Sequence, residues 1–365
     1  MNSTDRVTKA IEFGNPDRVP IQHFFSPESL VKHQEKLVDI FTDFPEDLGS
    51  SKFEIPDSDR GSDWILSRKY STLTQTGNKF EQQYQDESIL FTDAWGSVWG
   101  KGPEGRYVVE PALEDWEKLD DFTFPAPYPD RNEFEEEKEK IAQEKSETGR
   151  YILGYSPYRN YIFGGICFFQ RLYWLRGMEN LMMDIARGLP ELDELMDKVF
   201  EQVWKAIDQT IDLGVDGIYF ADDWGGQDNL LVNPSFFKKE FTPRYKELFD
   251  HVHERDCHVF FHTCGNTIEI IPELIEAGAD VINPQMPIMD LDKLSELTRG
   301  KVCLLTELDR QRILPNGTEE EVREHVKDIG RMFGTEQGGV IGRGKMGVDV
   351  PLTNIRAMVS AFGEL

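Results

Sequence analysis

Cysteine is scarce. Four occur in 365 residues, at positions 167, 257, 264 and 303, and none are spaced as Cys-x-x-Cys. No disulfide framework can be read from them, and reduced thiols are the expectation. Long apolar runs are missing too, so nothing in the sequence reads as a bilayer span and no membrane partner is expected. Basic residues are few. Lys and Arg number 40 against 67 Asp and Glu, a formal net charge of -27, which argues against nucleic acid and anionic membrane surfaces as partners. The first residues, Met1-Asn2-Ser3-Thr4-Asp5-Arg6, lack the basic and apolar regions of a signal peptide, so a cytoplasmic chain is expected. There is no internal repeat and no low-complexity tract.

What is present is a rhythm. Hydrophobic residues are 39% of the chain, enough for a substantial core. From Tyr151 onward, short apolar runs alternate with helical periodicity. Strands are expected at 151–155, 217–221, about 258–263, 280–283, 302–307 and 339–342. Helices are expected over about 179–213, 234–254, 268–277, 292–297, 318–333 and 351–362. Arg131 to Arg150 reads as a charged surface helix, and Arg18 to His23 as a first strand. Repeated strand-then-helix order over more than 200 residues means a parallel sheet. A closed (β/α)8 TIM barrel is expected, with an open doubly wound sheet as the competing architecture. Between about 55 and 130 the rhythm breaks into aromatic, β-like pieces such as Lys79 to Tyr84, read as an inserted cap over one end of a single 1–365 barrel domain.

Polar residues recur where barrel strands should end: His23, then Asp222 and Asp223, then His262 and Cys264, then Asn283 and Gln285, then Glu307 and Asp309. The C-terminal strand ends of one barrel converge on one cavity. His262 and Cys264 are two residues apart, so on a strand they face the same side and make half of a zinc site. The competing reading is a core cysteine beside a hydrogen-bonded histidine. Glu307 is the expected third ligand, its alternative role being a loop-start carboxylate paired with Arg310 or Arg312. Asp222 or Asp223 could serve as ligand instead, orient His262, or cap the following loop. With His23, these two aspartates are the expected catalytic groups; Asn283 and Gln285 are expected to face a bound cofactor. Trp64, Trp95, Trp99 and Trp224 are either pocket walls or packing. Arg159, Arg171, Arg310 and Arg343 are the basic residues near strand ends.

These segments together resemble the uroporphyrinogen decarboxylase superfamily, and within it the corrinoid-dependent methyltransferases. The resemblance is carried by Asn15-Pro16-Asp17-Arg18-Val19-Pro20, Thr92-Asp93-Ala94-Trp95-Gly96, Ala221-Asp222-Asp223-Trp224-Gly225, His262-Thr263-Cys264-Gly265-Asn266, Ile282-Asn283-Pro284-Gln285 and Val350-Pro351-Leu352-Thr353-Asn354. It implies a (β/α)8 barrel, zinc, a small methylated substrate such as a methyl ether or methylamine, and a corrinoid. The chain lacks the Asp-x-His-x-x-Gly motif that holds cobalt, so the corrinoid would come on a partner protein. A homodimer is the family's habit. The decarboxylases of the superfamily carry an Arg-Gln-Ala-Gly-Arg motif after the first strand, where Gln22-His23-Phe24-Phe25-Ser26 stands here. Decarboxylation of a tetrapyrrole or small acid, with Asp222 or Asp223 handling the proton, is the alternative activity. The zinc methyltransferases add a later cysteine, at a position falling near Gly344.

Overall fold

The computed structural model describes residues 1–26, 29, 32–50, 90–102, 105–127, 130–157 and 165–365. Seven strands form one parallel sheet: β2 (Leu48–Ser50), β6 (Tyr151–Gly154), β7 (Gly217–Ala221), β8 (His258–Thr263), β9 (Val281–Pro284), β10 (Cys303–Leu305) and β11 (Val340–Ile341). Neighbours in this sheet follow chain order, as in a barrel of successive βα units. The segment around β1 (Phe24–Phe25) closes it. On one side β1 pairs in parallel with β12 (Lys345–Met346), and the Gln22 amide donates to the Gly342 carbonyl at 2.9 Å. On the other side the Asp47 amide, at the entry to β2, donates to the Ile21 carbonyl at 2.8 Å. Eight strand positions are thus joined edge to edge in a (β/α)8 barrel, which leaves the barrel no open edge among the described residues.

Strand alternation divides the core in two. Leu48, Tyr151, Leu153, Tyr219, Phe260, Val281, Cys303, Leu305 and Ile341 form the cluster inside the barrel. Their neighbours Ile152, Ile218, Phe220, Val259, Phe261, Ile282, Leu304 and Val340 pack outward with the helices. Both faces are apolar, as a doubly covered parallel sheet demands. Each fully buried aromatic such as Phe260 or Phe261 contributes about 1.5–3 kcal/mol of transfer free energy.

Two expected helices differ in detail. The helix expected over 179–213 is two, Met178–Arg187 and Pro190–Asp212. Gly188 adopts a left-handed cap at φ 62°, and Pro190 opens the second helix, where its missing amide costs nothing. The helix expected from Pro234 passes through a π-turn, Phe237–Phe241, before Thr242–His253. Pro243 cannot donate to a carbonyl one turn back, which breaks the α ladder there. The helix Phe169–Arg176 was not expected. Its face is nearly all buried, so no amphipathic stripe marks it. A Thr318–Glu321 capping box opens the helix Glu319–Phe333.

Of the segment 55–130 expected as an inserted cap, the described part holds a three-stranded antiparallel sheet of β3 (Phe91–Thr92), β4 (Val98–Gly102) and β5 (Gly105–Glu110). It packs on the Phe169–Arg176 helix: Ser97 Oγ donates to the Trp174 carbonyl at 3.0 Å, and Arg171 meets Asp93 at 3.4 Å. Lys79 to Tyr84, Trp64 and Arg159 lie outside the described residues.

Candidate functional site

Strand register sets which side chains meet. Ala221, His262, Asn283, Leu305 and Ile341 stand abreast around the barrel. Two residues further along each chain, at the C-terminal mouth and on the same inward face, come Asp223, Cys264, Gln285, Glu307 and Arg343.

Three of these converge. A nitrogen of His262, the sulfur of Cys264 and a carboxylate oxygen of Asp223 all lie within 4.8 Å of one another, and no other such group of His, Cys, Asp or Glu occurs among the described residues. Cys264 Sγ is 3.3 Å from His262 Nε2, and Asp223 Oδ1 is 3.9 Å from the same nitrogen. His262 Nδ1 faces two oxygens, Asn283 Oδ1 at 2.7 Å and the Asn283 carbonyl at 2.9 Å. The Asn283 amide is itself fixed, because its nitrogen donates to the Leu305 carbonyl at 2.6 Å. His262 Nδ1 therefore carries the hydrogen, and Nε2 turns its lone pair toward Cys264 and Asp223.

The loops after β7 and β8 are locked together. The Cys264 amide donates to Asp223 Oδ1 at 2.8 Å, the Gly225 amide to the Cys264 carbonyl at 3.1 Å, and the Asn266 amide to the Gly226 carbonyl at 2.8 Å. Gly265 is at φ +83°, and a Cβ there would sit 2.1 Å from the Gly225 carbonyl carbon. Only glycine permits that approach, which explains why both motifs end in Gly. Asp223 Oδ2 accepts from Gln170 Nε2 at 2.9 Å, and the Gly265 amide donates to Gln285 Oε1 at 2.9 Å. Burial, then the Asp223 carboxylate, raise the Cys264 thiol above its ordinary range. A thiol, a carboxylate and an imidazole lone pair crowded together are a site that a divalent cation would stabilise.

The other expected residues have different surroundings. Asp222 is fully buried on the outward face, where it accepts from the Phe168 amide at 2.7 Å, the Gln170 amide at 2.8 Å and the Tyr245 hydroxyl at 2.8 Å. Burial pushes its carboxyl up to about 7 against those donors. It anchors the start of the Phe169–Arg176 helix rather than the mouth. His23 also faces outward, stacked on Phe41 at 4.3 Å, and burial pushes its imidazole down to about 3. Its inward neighbour is Gln22. Glu307 faces inward but pairs with Arg310 at 3.1 Å and stands apart from the three-residue group. At Gly344 a Cβ would lie 2.3 Å from Met358 Sδ, on the helix side, so the inward position on that strand belongs to Arg343. The run Gly342 to Gly347 matches a dinucleotide-type Gly-x-Gly-x-x-Gly, but it continues as β12 instead of opening a helix. Trp95, Trp99 and Trp224 are buried packing: Trp224 stacks on Phe169 at 3.8 Å.

Gln170, Tyr219 and Gln22 were not singled out from sequence. Tyr219 could have been found from its parity with Ala221 and Asp223; Gln170 lies on the helix that showed no pattern.

Comparison with known proteins finds similar solved structures. A solved methyltransferase from Methanosarcina mazei is similar over 100% of this chain and 99% of its own, with a TM-score of 0.65 at 16% identity. A putative lyase/mutase from Burkholderia cenocepacia J2315 covers 95% of this chain and 83% of its own, with a TM-score of 0.38 at 10% identity. No curated protein matches the chain. No helix among the described residues is long and apolar enough to cross a membrane. The family model for uroporphyrinogen decarboxylase (URO-D) matches residues 172–365, more than half of the sequence and the part that carries Asp223, His262, Cys264 and Arg343, so the chain belongs to the uroporphyrinogen decarboxylase family.

Proposed function

We propose that this protein is a methyltransferase that moves a methyl group between a small methylated substrate, such as a methyl ether or methylamine, and a corrinoid carried by a separate protein. Asp223, His262 and Cys264 would hold one zinc ion at the barrel mouth. The observation that carries the reading is the approach of those three donors within 4.8 Å. Three protein ligands with an open fourth position is the arrangement of a catalytic rather than a structural zinc site. Bound there, zinc would act as a Lewis acid on a substrate heteroatom or hold a thiolate as a nucleophile.

The chain's own residues supply the rest. Asn283 keeps the His262 hydrogen on Nδ1, so Nε2 is free to bind. Gln170 and the Cys264 amide hold the Asp223 carboxylate in place from both of its oxygens. Gln285 pins the Gly265 turn, which fixes the direction of Cys264. Metal-free decarboxylation with Asp222 or Asp223 as proton handler is less favoured, since Asp222 is spent on two backbone amides and a tyrosine away from the mouth and both oxygens of Asp223 already accept hydrogen bonds beside Cys264 and His262.

Metal analysis of the purified protein tests the reading. About one zinc per chain is expected on purification, lost in His262→Ala and Cys264→Ala, the latter taking up zinc only when the metal is supplied in excess. A metal-free wild type that resists reconstitution, or a His262→Ala variant with its full complement, would overturn it.

A further inference from the structure

Four arginines are buried among the described residues: Arg6, Arg171, Arg176 and Arg343. Three have an acidic partner. Arg6 meets Asp17 and Asp47, each at 2.6 Å; Arg176 meets Asp184 at 2.9 Å; and Arg171 meets Asp93 at 3.4 Å. Arg343 is 7% exposed and has no carboxylate within 4.0 Å among the described residues. Its Nη1 alone is engaged, with Gln22 Oε1 at 3.4 Å and the Tyr219 hydroxyl at 3.3 Å, both neutral. The exposed ring of Phe24 lies 4.3 Å over the guanidinium.

The Glu307 carboxylate acts on Arg343 through space but is paired with Arg310 and makes no ion pair with it. A buried guanidinium without a direct counter-ion is costly, and a ligand that supplies the anion would offset that cost. Arg343 is at the mouth, in the same inward tier as Asp223 and Cys264. It connects to the metal centre through one side chain: Tyr219, whose hydroxyl donates to Asn283 Oδ1 at 3.3 Å, the same oxygen that fixes His262. We infer that Arg343 receives the carboxylate of the substrate, so that the methylated compound is a small organic acid, its acid group on Arg343 and its other end toward Asp223, His262 and Cys264. A planar carboxylate matches the fork of Nε and Nη2, neither of which has a protein acceptor among the described residues. This inference rests on the mouth being the substrate site. It does not require the metal.

The test is calorimetric binding of benzoate and benzamide, which share a shape and differ in charge, to the full chain with zinc supplied and with zinc stripped. Wild type should bind benzoate at least about tenfold more tightly than benzamide under both conditions. Arg343→Gln should erase the preference and Arg343→Lys keep part of it, with zinc content and the circular dichroism spectrum unchanged in both. The inference fails if wild type binds the two probes equally or binds neither, or if Arg343→Gln keeps the preference. It also fails if stripping zinc removes the preference, since the metal would then be the carboxylate's partner. Arg343-dependent binding of inorganic phosphate with none of benzoate would overturn it as well. A metal-free protein that still prefers benzoate through Arg343 would sink the zinc reading and leave this one standing.

Discussion

Asp222 and Asp223 are adjacent in sequence and end the same strand, yet they belong to different parts of the molecule. Asp222 faces the helix layer, fully buried, and joins the Phe169–Arg176 helix and Tyr245 to the barrel. Asp223 faces the mouth and sits against Cys264 and His262. The same division separates His23 from Gln22 and Gly344 from Arg343. One step along a strand moves a side chain from the architecture to the chemistry.

The largest expected effect breaks that comparison on the outer side. Asp222→Ala would strand two buried amides and a buried hydroxyl, at a cost of about 3 kcal/mol or more, read as a lower urea midpoint. Asp223→Ala should stay within about 1 kcal/mol of wild type in the metal-free protein, because its carboxylate is partly exposed. Equal destabilisation by the two would erase the distinction.

On the inner side the measure is zinc affinity. Asp223→Ala should weaken binding at least about 100-fold, and Asn283→Ala, which frees the His262 ring, by roughly 10–100-fold. Competition with a colorimetric chelator measures both. An Asn283→Ala protein with unchanged affinity would show that the imidazole is held by something else.

The two sides also differ in their response to pH. The Glu46 carboxyl receives the outward-facing His23 through its amide at 3.0 Å, and burial pushes it up to about 8 from an ordinary 4.5. Between those values the folded protein keeps a proton that the unfolded chain has lost, so stability falls as pH rises, by up to about 1.4 kcal/mol per unit. Glu46→Gln should flatten that slope in thermal melts taken from pH 5 to 8. At the mouth the sign is opposite. Cys264 keeps its proton because burial and Asp223 raise the thiol, so zinc uptake must displace it and affinity should rise with pH. Roughly one proton fewer should be released per ion from Cys264→Ala than from wild type in weakly buffered solution.

Much of this was legible in the sequence. The strand at 217–221 is where its apolar run placed it, and the His-x-Cys spacing put both donors on one face. The helix expected over about 318–333 runs from Glu319 to Phe333 behind its Thr318 cap. Face assignment failed where strands are short. The strand expected over Arg18 to His23 forms as the two-residue β1, Phe24–Phe25, beyond Gln22 and His23, so no alternation there shows which of the two points inward. The third donor was uncertain for another reason. Glu307 and Asp223 are both inward carboxylates, and only the lock between the β7 and β8 loops, through Gly225 and Gly265, brings Asp223 and not Glu307 beside Cys264.

X-ray absorption at the zinc edge of the reconstituted protein addresses the metal centre most directly. A single zinc with one sulfur neighbour near 2.3 Å and the remaining nitrogen and oxygen neighbours at about 2.0–2.2 Å is expected, with the sulfur shell absent in Cys264→Ala. A zinc surrounded only by light atoms in wild type, or a sulfur shell that survives Cys264→Ala, would contradict a site built from Asp223, His262 and Cys264.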